Sequence, residues 1–164
     1  MLDDEKVDDL DLKILAIIQT EARTDAREIA RRIDCDASLV LERVCLLEER
    51  KVIRGYETHL SPRALGLDLT AFVTIKTDWR VSGVNTEELL AAIPEVQEAH
   101  KVTGEDCYLV KVRVSNTAEL ERLVRDRLCA ISSVCSIATS VVLKTVKETG
   151  QLPLGQLVEQ PANL

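Results

Sequence analysis

The hydrophobic period of this chain changes once, near Val52, and that change constrains its architecture more than any other feature. Upstream, apolar residues recur at spacings of three and four. Leu10, Ile14, Ile17 and Ile18 form one stripe, Ile29, Ala30 and Ile33 a second, and Val40, Val44 and Leu47 a third. This spacing collects apolar side chains on one face of a helix. Asp25, with Glu28 three residues on, reads as the cap of the second helix, over about residues 25–33, because a carboxylate there accepts from a first-turn backbone N–H. Asp34-Cys35-Asp36 is a short polar interruption before a third helix over about residues 37–50. Three helices with so short a turn between the last two have the helix-turn-helix layout.

Downstream the period is two. Val52–Leu60 is expected to run as an extended connecting strand, with Ser61-Pro62 and Gly66 marking a linker. Ala71, Val73 and Ile75 alternate as a strand, and a helix from Asn85 with Leu89, Leu90 and Ile93 is stopped by Pro94. A strand over Val96–Val102, a turn at Gly104 and an alternating strand through Tyr108, Val110, Val112 and Val114 follow. Asn116 caps a helix that buries Leu120, Leu123, Val124 and Leu128, and Ile137, Thr139, Val141 and Leu143 alternate in the last strand. The fold class is therefore α+β: an N-terminal (winged) helix-turn-helix, then a ferredoxin-like βαββαβ antiparallel-sheet domain. The expected division is residues 1–60, residues 61–149 and a C-terminal tail, 150–164. The sheet face without helices needs a cover, and a second copy of the chain is the economical one. Trp79, just past the first strand, reads as an edge or interface anchor.

Composition narrows the function. Aromatic residues make up 2%, which leaves no platform for stacking single-stranded bases. The net charge of −7 disfavours phosphate backbones. Its distribution is uneven, however. Six acids fall in the first eleven residues, whereas residues 23–54 hold eight Lys/Arg against seven Asp/Glu. The five cysteines form no CxxC pair, so no metal site or cofactor is expected. No apolar run reaches the length of a membrane span, and no secretory pattern opens the chain; a cytoplasmic protein with reduced thiols is the expectation. His59 and His100 sit in no catalytic arrangement, so no catalytic residue is assigned.

The segments VDDLDLKILAIIQTEARTDAREIARRI, LLEERKVIRGY, LSPRALGLDLTAFV, HKVTGEDCYLVKVRV and SVVLKTVKET, in that order over residues 7–149, resemble the Lrp/AsnC family of transcriptional regulators. The resemblance implies an N-terminal unit that binds double-stranded DNA with its third helix in the major groove. It implies a C-terminal domain that pairs through its sheets into a homodimer, with dimers assembling further, often to an octamer. It also implies a small-molecule effector, usually an amino acid, at contacts between dimers. On that footing the DNA-binding set is Ser38, Leu39, Leu41, Glu42, Arg43 and Arg50 on the third helix, with Arg23, Arg27, Arg31, Arg32, Lys51 and Arg54 for phosphates. Leucine can touch a thymine methyl and glutamate can accept from cytosine N4. The effector set is the turn Thr103, Gly104, Glu105, Asp106, Cys107 and Tyr108, with Ser140, Val141 and Val142 from the last strand. Glycine there permits close backbone approach, and turn amides and carboxylates suit a zwitterion. Cys107 stands where many family members carry Asp.

Two other readings stay open. The acidic leader and the apolar third helix motivate an effector-binding assembly protein with weak or lost DNA binding. Sirohaem decarboxylase subunits resemble the same two-domain architecture, so fold alone does not exclude an enzyme.

Overall fold

The computed structural model describes residues 7–78, 80–81, 83–104 and 108–155. Trp79, Glu105, Asp106, Cys107 and residues 156–164 of the tail lie outside the described residues. The chain forms two compact units, one from residues up to His59 together with the segment from Glu148 onward, the other from Leu60–Lys147.

The first unit holds α1 (Asp9–Ile18), α2 (Ala26–Ile33) and α3 (Ala37–Glu49). Each helix starts where an aspartate meets its orphan amides. Asp8 accepts from the Asp11 N–H at 2.8 Å, and the Asp11 carboxylate accepts from the Asp8 N–H at 3.2 Å, closing a capping box. Asp25 accepts from the Glu28 N–H at 2.8 Å. Glu28 does not complete a box there, because its carboxylate is drawn to arginines on α2. Asp34 ends α2 in the left-handed region, at φ 54°, and Asp36 caps α3 two residues later, which makes the turn between the helices abrupt. Ile14, Ile18, Ile29, Ala30, Val40, Leu47 and Ile53 form the core, with Leu10, Ile17, Ile33 and Val44 packed against it. Beyond Ile53, residues 54–60 join no ladder within the chain and are exposed, although the alternation predicts a strand. An extended segment becomes a strand only when a neighbour takes its N–H and C=O groups.

The second unit holds β1 (Leu69–Thr77), α4 (Thr86–Ala91), β2 (Val96–Lys101), β3 (Tyr108–Val114), α5 (Thr117–Arg122) and β4 (Val134–Val141). The sheet order is β2-β3-β1-β4, with every pair antiparallel, as the ferredoxin-like pattern requires. Ala71, Val73, Ile75, Val110 and Val112 share one core with Leu90 and Ile93 beside α4 and with Leu120, Leu123 and Leu128 beyond α5, so both helices cover the same face. The opposite face is open, with Phe72 38% exposed and flanked across the ladders by Lys111 and Ser140. The edges differ in chemistry. β2 carries Glu98, His100 and Lys101, whereas Val134–Val141 holds no charged residue.

Three details depart from the periodicity. α5 passes into a π-helical turn, Leu123–Leu128, in which the Cys129 N–H reaches the Val124 carbonyl at 2.9 Å. The wider turn lets Leu123 and Leu128, five residues apart, both enter the core. The second strand ends at Lys101 rather than Val102. Leu143, expected to alternate inward in the last strand, lies past its end and is 97% exposed. Among the described residues no helix is long and apolar enough to cross a membrane.

Candidate functional site

The outer surface of α3 follows from its inner one. Val40 and Leu47 are buried and Val44 is half-buried, so Ser38, Leu41, Glu42, Cys45 and Glu49 point outward at helical spacing. Leu41 is 56% exposed and Leu46 partly so, while Leu39 is half-buried. Ser38 belongs to the cap: its N–H donates to Asp36 Oδ1 at 2.7 Å and its hydroxyl donates to the same oxygen. Those bonds hold the Asp36 carboxyl below its ordinary value. At the other end of α3, the Tyr56 hydroxyl donates to Glu48 Oε1 at 2.8 Å. Partial burial and the glutamate together push that phenol up to about 12.

The arginines of this unit divide into two groups. Arg43, on α3, turns inward. Its Nη1 lies 2.9 Å from Asp8 Oδ2 and 3.5 Å from Asp11 Oδ1, so it joins α3 to the start of α1. Asp11 is 2% exposed, and its Oδ1 has no hydrogen-bond partner. The Arg43 charge therefore offsets a buried carboxylate. On α2, Arg31 grips both oxygens of Glu28 at 2.7 and 2.8 Å. Arg32 takes Glu28 at 2.8 Å and both oxygens of Glu21, in the α1–α2 connection, at 2.9 and 3.0 Å. The two guanidinium groups pull the Glu28 carboxyl down to about 2, and Arg32 lowers Glu21 as well. Arg23, Arg27, Lys51 and Arg54, by contrast, are exposed and enter no ion pair among the described residues. Arg50 is exposed at the C-cap of α3.

In the second unit, Thr103 and Gly104 lead out of β2, with Gly104 at φ 118°, a conformation that side chains rarely adopt. Glu105, Asp106 and Cys107 are outside the described residues. Tyr108 opens β3 and is buried. Its hydroxyl donates to Glu87 Oε1 at 3.3 Å, and Lys101 Nζ reaches the same oxygen at 3.0 Å. The lysine holds the Glu87 carboxyl below its usual range. Ser140, Val141 and Val142 lie elsewhere. Val141 pairs with Ala71 and the Val142 N–H donates to the Thr70 carbonyl, whereas Tyr108 pairs with Ile75 at the other end of β1. Four residues along the strand and two strand spacings across separate the halves, about 16 Å at ~3.3 Å per residue and ~4.8 Å per strand. A single chain does not bring the two parts of the expected site together.

The reading from sequence missed Asp8, Asp11, Glu21, Glu87 and Lys101 as partners of these groups. The Asp8/Asp11 spacing is a capping signal that was available in the sequence. Among the described residues no cluster of three or more His, Cys, Asp or Glu is placed to hold a metal ion.

Comparison with known proteins adds the following. A winged helix-turn-helix DNA-binding family matches residues 7–54, and the Lrp/AsnC ligand-binding domain matches residues 70–152. An HTH-type transcriptional regulator of Pyrococcus horikoshii is 34% identical over 149 residues, covering 90% of this chain and 97% of that protein. The leucine-responsive regulatory protein of Haemophilus influenzae is 35% identical over 151 residues, 90% of each. Among solved structures, a Neisseria meningitidis transcriptional regulator in complex with L-methionine superposes with a TM-score of 0.84 at 30% identity, over 92% of this chain and 98% of that one. A feast or famine regulatory protein of M. tuberculosis, also complexed with L-methionine, gives 0.82 at 30% identity, over 89% and 98%.

Proposed function

Because this chain belongs to the Lrp/AsnC family of transcriptional regulators, we propose that it binds double-stranded DNA through the outer stripe of α3 and answers to an amino acid at a site that two copies build together. A member of this family is a regulator rather than an enzyme. The observation that carries the reading is that stripe: two capped, tightly joined helices present Ser38, Leu41 and Glu42 on a side the core does not use. Those three read base edges, and Arg23, Arg27, Lys51 and Arg54 hold phosphates. Arg31, Arg32 and Arg43 act as stays that fix α2 and α3. Four free cations give a slope of about −3.6 in log affinity against log salt for each unit engaged, at about −0.9 per phosphate.

The effector reading rests on register. The Thr103–Tyr108 turn and the Ser140–Val142 strand end meet only when different copies contribute them, so effector binding and assembly become one equilibrium. A homodimer joined through the open face around Phe72, growing toward an octamer, provides that meeting. The L-methionine held by two structural relatives supports an amino acid as the ligand. Such a regulator works in the cytoplasm.

The test is a gel shift and footprint on DNA flanking the protein's own gene, titrated over salt and repeated with L-methionine. Protection repeating about every helical turn, with the steep salt slope, is expected; no retardation at low salt overturns the reading. One observation favours a second reading, that of an assembly protein that no longer binds DNA. The outer stripe of α3 carries Glu42 and Glu49 and no basic side chain. Binding of L-methionine by calorimetry, combined with absent retardation, would establish it.

A further inference from the structure

The segment after the sheet does not end with the sheet. From Glu148 the chain rejoins the helical unit, so two covalent links connect the units, one on either side of the sheet domain. The returning segment is held at α1. Gln19, the residue closing that helix, donates from Nε2 to the Leu152 carbonyl at 3.1 Å and accepts from the Leu152 N–H at 3.1 Å. An amide side chain that satisfies both polar groups of one residue does what a neighbouring strand would do. A second observation comes from burial. Of the buried apolar residues described, two lie outside both hydrophobic cores: Leu12, 8% exposed, and Leu154, 9% exposed. Leu12 and Gln19 are seven positions apart and share one face of α1, while Ile14 and Ile18 serve the helical core. The face that carries Leu12 is therefore the face that holds the returning segment.

We propose that residues 148–155 form a strap docked on the Leu12/Gln19 face of α1, and that this strap restrains the motion of the helical unit relative to the sheet unit. With the strap seated, α1 is clasped on both sides, by the helical core and by Leu154. The only path between the units that remains free to bend is then the 60–68 connection. With the strap released, the helical unit hangs from that connection alone. This goes beyond the regulator reading and does not depend on it.

The experiment uses the full chain without DNA or amino acid. Methyl relaxation is compared between Ile14, Ile18 and Ile29 in the helical unit and Ile75 and Ile131 in the sheet unit. In the parent chain the two groups are expected to report the same effective tumbling time. In Gln19→Ala and in Leu154→Ser the helical-unit value is expected to fall by about half while the sheet-unit value holds, with amide exchange over residues 12–19 rising at least tenfold. Unequal tumbling in the parent chain overturns the proposal. So do unchanged tumbling and exchange in both variants. Faster exchange with unchanged tumbling also overturns it, because the segment is then a local cover and not a restraint. Leu154→Ser leaves α1 itself intact, which keeps the test valid if Gln19→Ala disturbs the helix end.

Discussion

The helical unit and the sheet unit are held together by different physics. The helical core has seven buried residues, one of them alanine, and is braced by charge: Arg43 to Asp8 and Asp11, and Arg32 to Glu21 and Glu28. The sheet core has thirteen buried residues, many of them β-branched, interlocked along strand registers, and its ion pairs lie on its surface. A small core buries too little apolar area to fix helix positions alone, so the helical unit borrows specificity from ion pairs whose partners are far apart in sequence. That makes the part that meets DNA the part whose geometry responds to charge, and the part that meets a second copy the part that does not.

The largest expected contrast comes from equal truncations in the two cores. Leu47→Ala and Leu128→Ala each remove a buried leucine side chain at a cost of about 3 kcal/mol. In calorimetry, Leu47→Ala should melt the helical unit as a separate early transition, while Leu128→Ala should only lower the sheet transition. A single shared transition in both variants would dissolve the contrast. Next is Arg43→Ala, which leaves the Asp11 carboxylate buried and unpaired and should cost about 2–4 kcal/mol. Asp11→Asn should cost less, since a neutral amide still accepts from the Asp8 N–H. If Arg43→Ala keeps the parent melting temperature and loses only DNA affinity, then Arg43 is a groove contact and not a stay.

The smallest effect is pH. Glu28 has its pKa depressed to about 2 against an ordinary value of 4.5. A depressed carboxyl contributes stability that is present above its unfolded pKa and lost as pH falls through the folded one. Its contribution should therefore fade between 4.5 and about 2, and being exposed it should shrink further in salt. Carboxyl-carbon titration of Glu28 checks this, and a midpoint near 4.5 would remove the Arg31/Arg32 clasp from the account.

What the sequence made legible was local. The caps at Asp25 and Asn116, and the inward Val110 and Val112 of β3, depend on spacings of two to four residues, which period and capping chemistry report directly. The inward turn of Arg43 depends on a partner 35 residues away, and the clasp of Gln19 on one 133 residues away. No periodicity encodes such a choice, because an arginine at the same helical position satisfies the pattern whether it meets phosphate or aspartate. The division of the effector set across β1 was hidden for a related reason: strand order and register fix it, and alternation is silent on both. The π-helical turn escaped because Leu120, Val124 and Leu128 already fit an α-helical stripe.

The unequal edges of the sheet have one further consequence. A strand edge is a template, and charge is the usual insulation against unwanted templating. β2 has that insulation in Glu98, His100 and Lys101, while β4 presents only small and aliphatic residues between Val134 and Val141. The sheet thus has a polarity of growth, closed at one side and receptive at the other. When chains meet at high concentration, faulty association should begin from β4, and a lysine placed at an outward position there would slow it without touching either core.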